Sequence, residues 1–252
     1  MDTDVETIER AAFDAWPAVE VQELGGWRLR FNHGVTNRGN SVWPGPGRVD
    51  ERGIDEALDA VEAFYREREC PALFQLTPIA QPSSLDAMLE ARGYQKVLPV
   101  HVQSAEALSI AELPVGAGLR SGCDDVPSAA WADLATHRGR YSGAQADVFL
   151  AMLGRLNGRA GFAWAGSGSE PTATGLAVVA PPWAGIFAMR TLAAARGRGL
   201  GRAVLVAAAR WAVGRGARHL YLQVEHDNPA ALSLYRNAGF TPRYGYHYRK
   251  AR

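Results

Sequence analysis

Arg196-Gly197-Arg198-Gly199-Leu200-Gly201-Arg202 is a glycine-rich turn between a strand-like apolar run, 186–191, and an alanine-rich run, 201–213, that is typical of a helix. Glycines leave the backbone open to a ligand, and a helix that begins here directs unpaired N–H groups at an anion. The three arginines add cationic donors. We therefore predict a phosphate cradle at residues 196–202, with a flexible basic turn as the alternative.

Two common phosphate loops do not fit this stretch. A Walker loop needs Lys-Ser/Thr after its last glycine, where Arg202-Ala203 stands, and a dinucleotide fingerprint needs a glycine at position 202. The pattern that fits is Arg-x-x-Gly-x-Gly. With seven further motif positions in order, the sequence from about 115 to 250 resembles the GNAT superfamily of N-acetyltransferases. Those positions are Thr191-Leu192, Asn228, Ala231, Tyr235, Gly239 and Phe240.

The resemblance implies an α+β fold, with a mixed, mostly antiparallel central sheet flanked by helices. It also implies acetyl-CoA as co-substrate, an amine as acceptor and no metal. The cofactor-binding residues that it indicates are Met189, Thr191 and Leu192, for the thioester carbonyl, the cradle residues Arg196, Gly197, Arg198, Gly199, Gly201 and Arg202, and Asn228. An asparagine before a proline is also an ordinary helix cap, so Asn228 has two interpretations.

Acetyl transfer to an amine needs a base for the amine and a proton for the departing thiolate. Tyr235 occupies the family position of the tyrosine near the thioester sulfur and is the predicted acid, with core packing as the alternative. Glu225, at the end of a strand, is the predicted base, while His226 and His247 also carry suitable imidazoles. The family more often has valine at 191 and proline at 193, so Thr191 and Ala193 leave the strand geometry open.

Composition excludes several other classes of protein. The chain has 252 residues and a net charge of +1, so no strong field favours nucleic acid. Cys70 and Cys123 form no metal or disulfide pattern, which favours a reducing cytoplasmic location. The acidic amino terminus is unlike a signal peptide, and no apolar run approaches the roughly 20 residues of a membrane span.

The first hundred residues are predicted to form a degenerate copy of the same fold. Helices are expected at 5–16, 54–68 and 85–90, a hairpin at 26–31 and 40–43, and strands at 73–76 and 97–102. Residues 75–93 correspond to 223–239 at nearly the same spacing, but the stretch 45–51 has prolines and acids instead of a cradle. Chance similarity of βαβ pieces is the alternative.

The predicted organisation is therefore a degenerate GNAT-like domain at 1–104, a linker at 105–118 and a catalytic GNAT domain at 119–252. In the catalytic domain, helices are expected at 126–137, capped by Asp125, at 145–156, at 201–213 and from 229, with strands at 119–123, 161–165, 174–180, 186–191, 220–224 and 244–248. The first copy is expected to bind no CoA and yet to be needed for activity. Its hairpin could complete the acceptor site or form a domain interface, through Trp27, Asn37, Arg38, Asn40 and Trp43.

The sequence thus predicts an acetyl-CoA-dependent N-acetyltransferase in which a primary amine attacks the thioester directly. A non-catalytic acyl-CoA-binding or sensing module is the alternative, and a scaffold protein is a third. The pattern identifies neither the acceptor nor the oligomeric state, and a monomer is possible as a tandem pseudo-dimer.

Overall fold

The computed structural model describes residues 3–46, 53–136, 141, 143–168 and 170–252. The first half of the chain forms α1 (Thr3–Asp14), β1 (Glu20–Leu24), β2 (Trp27–Phe31), β3 (Val42–Pro44), α2 (Ile54–Arg66), β4 (Leu73–Leu76), α3 (Leu85–Ala91), β5 (Gln95–Glu106) and α4 (Ala107–Ala111). The second half forms β6 (Arg120–Asp124), α5 (Ala129–Thr136), α6 (Gly143–Gly154), β7 (Ala160–Gly166), β8 (Ala173–Ala180), β9 (Trp183–Thr191), α7 (Leu200–Val213), β10 (His219–Glu225), α8 (Pro229–Ala238) and β11 (Thr241–Lys250).

The strands described form a single sheet in the order β1-β2-β3-β4-β11-β5-β10-β9-β8-β7-β6. Two neighbouring pairs, β3–β4 and β9–β10, are parallel, and the other pairs are antiparallel. Each parallel pair is joined through a helix, α2 or α7, as a βαβ crossover requires. The predicted α+β class with a mixed, mostly antiparallel sheet is confirmed.

The two halves exchange their last strands. β5, from the first half, pairs with β10 and β11, and β11, from the second half, pairs with β4 and β5. Both halves also follow the order parallel pair, helix, Gly-aromatic turn and final strand, which matches the predicted repeat. The division into domains 1–104 and 119–252 stays a prediction. Because of the exchange, each half contributes a strand to the part of the sheet that the other half forms.

Residues 105–118, predicted as a linker, contain regular structure. They begin with the end of β5 and continue as α4, whose Ala107, Ile110 and Ala111 are buried in the same core as α7. Arg210 of α7 also donates through Nε to the Ala111 carbonyl at 2.8 Å. The small residues of this stretch therefore pack against a helix, which composition alone does not distinguish from a flexible connection.

Three local predictions differ from the structure. Asp125 does not cap α5, because its Oδ1 accepts a hydrogen bond from Trp211 Nε1 at 2.8 Å, while Ser128 Oγ accepts one from Trp131 N at 3.1 Å. β1 was not predicted, since its burial pattern is that of an exposed edge strand. β5 is twice as long as the predicted strand. The predicted helix 126–137 ends, and the stretch 45–51 mostly lies, outside the described residues.

Helices cover both faces of the sheet. The α7 face carries α4, α7 and α8, and the α1 face carries α1, α5 and α6. Side chains of β10 alternate between them, because successive residues of a strand point to opposite faces. Leu220, Leu222 and Val224 lie on the α7 face, while Tyr221 lies on the α1 face. By the same alternation Glu225 is placed on the α1 face, opposite Val100.

Candidate functional site

The site is built around the point where β9 and β10 separate. Their parallel pairing runs from Trp183 and His219 to Ile186 and Leu222. Beyond it, β9 stays paired with β8 up to Thr191, and β10 stays paired with β5 up to Glu225. An opening between the two strands follows, which we call the strand gap, and peptide groups on its two edges face each other without forming a ladder.

A β-bulge in β9 lies beside the strand gap. Leu176 of β8 pairs with Phe187, but Thr174 pairs with Arg190, so β9 contains one extra residue opposite Gly175. Ala188 takes a φ of 48°, in the left-handed region that L residues rarely adopt. The bulge places Phe187 and Ala188 together on the α1 face. It also turns Met189 to the α7 face.

Gly175 makes room for this bulge. A Cβ atom at Gly175 would lie 2.6 Å from Met189 Sδ and 2.7 Å from Val204 Cγ1. The sequence shows the glycine but not the bulge that depends on it.

The bulge decides which N–H groups face the strand gap. Leu192 N donates to the Thr172 carbonyl at 2.9 Å, so this N–H points to β8 and is occupied. Because N–H groups alternate in direction along a strand, those of Thr191 and Met189 are directed to the other edge. Of the three predicted donors, two therefore lie on the strand gap and Leu192 does not offer a free N–H.

The predicted cradle forms the turn into α7. Gly197 and Gly199 have φ values of 76° and 79°, and Gly199 is the N-cap residue of the helix. The first N–H groups of α7 have no partners within the helix. A Cβ at Gly201 would come 3.1 Å from Leu234 Cδ2, so this glycine lets α8 approach α7. The backbone thus has the open, positively polarised form that a phosphate needs.

The arginines of the cradle differ in their surroundings. Arg196 and Arg198 are exposed, next to the glycines with positive φ. Arg202 is partly buried, and its Nη2 lies 3.5 Å from the Asn237 carbonyl of α8. Two cationic side chains are therefore available at the mouth of the cradle.

Asn228 is the N-cap residue of α8. Its Oδ1 accepts a hydrogen bond from Ala231 N at 3.1 Å, which is the capping interaction that the sequence offered as the alternative. The side chain is exposed, and its amide nitrogen takes no part in the cap. Any contact with a ligand would therefore use the Nδ2 donors.

Tyr235 lies on the α7 face and is buried, with 6% of its surface exposed. Its ring packs at 5.8 Å from the ring of Phe240. Burial raises the pKa of the Tyr235 hydroxyl to about 12, so this group is protonated at neutral pH. Packing and a proton-donating role are compatible with this position.

The candidate bases are distributed differently. Glu225 is exposed at the end of β10. His226 follows it, and its ring stacks on that of His101 at 3.6 Å. His247 is not at the strand gap, because its Nε2 lies 3.0 Å from Asp86 Oδ1 of α3. Glu225, at the end of β10, is therefore associated with the α1 face of the sheet, whereas Tyr235, on α8, lies on the α7 face.

Of the five hairpin residues predicted to line an acceptor site, Arg38 reaches the strand gap. Its guanidinium lies 5.2 Å from the ring of Phe187, the first β9 residue beyond the last pair. Trp27 is fully buried in the core of the first half, and its Nε1 donates to the Gln81 carbonyl at 2.8 Å. Trp43 is buried in a small cluster with Val5 and Ile79. Asn37 is exposed, and Asn40 holds the loop by hydrogen bonds.

A buried polar cluster next to Arg38 was not predicted from the sequence. Glu9 Oε1 accepts a hydrogen bond from the Tyr244 hydroxyl at 2.5 Å, and Gln75 donates to its other oxygen at 3.3 Å. Gln75 in turn accepts from Arg30 at 2.8 Å. Burial raises the pKa of the Glu9 carboxyl, against the influence of its hydrogen bonds and of the two arginines. Glu9 lies in the amphipathic helix α1, and its position in the sequence does not indicate that a carboxylate would be buried against the sheet.

The described residues include no cluster of metal-ligating side chains and no helix that could cross a membrane. They contain no group of three or more His, Cys, Asp or Glu side chains arranged to hold a metal ion. None of the helices within the described ranges is long and apolar enough to cross a membrane.

Comparison with known proteins gives consistent matches. A family profile described as "Probable histone acetyltransferase Rv0428c C-terminal" matches residues 2–249. The "Uncharacterized N-acetyltransferase YobR" of Bacillus subtilis is 31% identical over 247 residues, which are 98% of each chain.

Two solved structures share the architecture. A GCN5-related N-acetyltransferase from Kribbella flavida has a TM-score of 0.74 at 18% identity, covering 99% of this chain and 96% of that one. A tandem GNAT protein from the clavulanic acid biosynthesis pathway has a TM-score of 0.67 at 14% identity, with 99% and 95% covered. At these identities the two structures support the fold.

Proposed function

The chain belongs to the GNAT-type acetyltransferase family whose profile matches residues 2–249, and we propose that it transfers an acetyl group from acetyl-CoA to a primary amine by direct attack. The observation that carries the proposal is the strand gap. It is an opening between β9 and β10, with the cradle on one side and acid–base candidates associated with the two faces of the sheet.

The cradle fits the pyrophosphate of acetyl-CoA. Gly197 and Gly199 adopt positive φ values and have no side chain that would block a ligand from the backbone. The start of α7 offers N–H groups and the positive end of its dipole. Arg196 and Arg198 are exposed beside it and would pair with phosphate oxygens. The Asn228 amide nitrogen would bind the arm of the cofactor.

The N–H groups of Met189 and Thr191 would polarise the thioester carbonyl. They lie on the β9 edge that the bulge leaves without a ladder partner. Donors fixed in this way stabilise the negative charge that develops on the carbonyl oxygen during acyl transfer. In this proposal they form the oxyanion site.

Glu225 and Tyr235 would divide the proton transfers. Glu225 accepts a proton from the amine, the C–N bond forms, and the C–S bond breaks. Tyr235 then donates its proton to the departing thiolate sulfur. Because burial raises its pKa to about 12, Tyr235 is protonated at neutral pH and has a proton to donate to the sulfur as the C–S bond breaks.

The test measures thiol release from acetyl-CoA with a panel of amines, which includes a histone-derived lysine peptide because the matched family's description names a histone acetyltransferase. We expect Tyr235→Phe to lower kcat by about 10² to 10⁴ with unchanged acetyl-CoA affinity in calorimetry. Tyr94→Phe is the matched control, since Tyr94 is equally buried in the first half and its hydroxyl donates to Glu62.

Three results would contradict parts of the proposal. An undiminished kcat in Tyr235→Phe would reduce that residue to packing. Tight binding of acetyl-CoA without thiol release from any amine would favour a non-catalytic acyl-CoA sensor. Absence of acetyl-CoA binding would exclude both.

A further inference from the structure

Arg38 is presented by a loop with a fixed shape, residues 32–41, which we call the arginine loop. Asn40 holds the loop through four hydrogen bonds of 2.7–2.9 Å, two accepted from backbone N–H groups and two donated to carbonyls, which belong to Asn32, Gly34, Val35 and Thr36. Thr36 Oγ1 also accepts from Trp16 Nε1 at 2.8 Å, at the end of α1. A side chain on this loop is held in place before any ligand binds.

The Arg38 guanidinium lies against two neighbouring aromatic rings at the strand gap. It is 5.0 Å from the ring of Trp16 and 5.2 Å from that of Phe187. Both rings belong to the core of the α1 face, opposite the face of α7 and the cradle. The first half of the chain therefore places a cation on the side of the sheet from which an acceptor would approach.

Two nitrogen donors at this site lack partners. Arg38 Nε and Gln223 Nε2 are buried and have no hydrogen-bond partner among the described residues. Both side chains meet the Tyr246 hydroxyl, which donates to Gln223 Oε1 at 3.2 Å and contacts Arg38. Buried donors without acceptors are costly, so this pair of nitrogens is suited to a ligand that brings acceptor oxygens.

The cluster has a surplus of positive charge. Arg30 and Arg38 lie near one carboxyl group, that of Glu9, whose pKa is raised by burial. At least one guanidinium charge therefore has no counterpart among these three groups. A carboxylate balances such a charge, matches the planar fork of arginine and brings two acceptor oxygens.

We propose that Arg38 and Gln223 bind a carboxylate of the acceptor, so that the acceptor is a small molecule of the amino-acid class, carrying both a primary amine and a carboxylate. The inference rests on the proposed function and specifies its substrate class. Gln223 and Glu225 are two residues apart on the same face of β10, or about 7 Å. This spacing suits an amine at Glu225 and a carboxylate at Gln223 that are separated by one or a few carbon atoms.

The experiment compares each of the twenty amino acids with its carboxamide, which keeps the shape and loses the charge. Thiol release from acetyl-CoA is measured for the wild type, Arg38→Gln and Arg28→Gln. Arg28 is the matched control because it also stacks on aromatic rings of the first half, those of Phe13 and Trp43. Calorimetry of the same amino acids with the CoA-loaded protein gives a readout that needs no turnover.

For the wild type we expect a kcat/KM for the best amino acid about 10- to 100-fold above that of its carboxamide, mainly through KM. Arg38→Gln should lose this preference and the calorimetric binding, while Arg28→Gln keeps both. Equal use of the carboxamide, an unchanged preference in Arg38→Gln, or absence of amino-acid binding would overturn the inference.

The two proposals fail in distinguishable ways. If no amine releases thiol but amino acids bind in calorimetry and Arg38→Gln abolishes that binding, the carboxylate site stands and the proposed reaction fails. If the lysine peptide is acetylated equally well by the wild type and Arg38→Gln, and amino acids are not, the reaction stands and the carboxylate site fails.

Discussion

The two parallel strand pairs of the sheet have the same connections but different ends. β3 and β4 share a single registered pair, Val42 with Phe74, and an apolar cluster that contains Trp43 and Ile79 follows directly. β9 and β10 share four pairs and then separate at the bulge. A large aromatic side chain thus packs where the first pair ends, while glycine and a bulge keep the second pair open.

The helices that follow the two parallel pairs differ at one equivalent position. Gly93 and Gly239 both take positive φ after their helices. Four residues before each glycine stand Leu89 and Tyr235, both buried. The first copy therefore has a hydrocarbon at the position where the second has the tyrosine that we propose as the proton donor, which is in keeping with a structural role for the first copy.

The largest expected effect follows from the strand exchange. A fragment of residues 105–252 lacks β4 and ten of the twelve residues of β5, so β11 loses both neighbours and β10 loses most of one. We expect this fragment not to fold as a monomer, because a domain is stable by only about 5–15 kcal/mol and the loss leaves backbone groups and apolar faces of two strands without partners. Far-UV circular dichroism and size-exclusion chromatography measure the outcome.

A longer fragment sharpens this comparison. Residues 95–252 restore β5 between β10 and β11 and should recover part of the secondary structure. If residues 105–252 alone were folded and retained the kcat/KM of the whole chain, the first half would be dispensable and the exchange would be without consequence.

The next effect concerns the cradle. Gly199→Glu adds a side chain and an anion where pyrophosphate would approach the backbone, so we expect acetyl-CoA affinity to fall by roughly 100-fold or more. Calorimetry measures the change. Gly93→Glu is the matched control, because Gly93 has a similar φ of 86° and open space around it, but lies in the first half.

Both variants place an L residue in the left-handed region and should lose similar stability. The difference between them isolates the cradle. Equal acetyl-CoA affinities in the two variants would show that the glycine-rich turn is not the binding site.

Much of this architecture could be predicted from local patterns. The glycine and arginine spacing at 196–202 indicated the turn into α7, and apolar periodicity located most of the helices and strands, although not α4. These features depend on residues close in the chain. The repeat was visible for the same reason, since Gly93-Tyr94 and Gly239-Phe240 are local signals.

The missed features depend on contacts between distant residues. The bulge at Ala188 needs Gly175 on the neighbouring strand, and the position of Arg38 needs Trp16 and Phe187. Glu9 contacts Tyr244, 235 residues away. Periodicity within one element carries no information on such partners, so the gap and its polar cluster emerge once the sheet order is known.

The smallest expected effect tests the attachment of the exchanged strand β11 to the first half. Asp86 of α3 accepts hydrogen bonds from Arg249 at 2.6 Å and faces His247 at 3.0 Å. Burial acts to raise the pKa of the Asp86 carboxyl, but the hydrogen bonds of Arg249 and His247 outweigh it, so the pKa lies below its ordinary value of 3.8.

The carboxylate therefore stabilises the folded state above about pH 4, and this contribution disappears as pH falls through the lowered pKa of the folded protein. Because Asp86 is partly exposed, Asp86→Asn should cost about 0.5–1 kcal/mol at pH 7 in urea unfolding, and less at pH 3. Asp59→Asn, which breaks an exposed pair with Arg92 inside the first half, is the control and should cost less. If Asp86→Asn has no effect at pH 7, or the same effect at both pH values, the charge of Asp86 does not fasten β11 and the exchange depends on backbone pairing and apolar contacts alone.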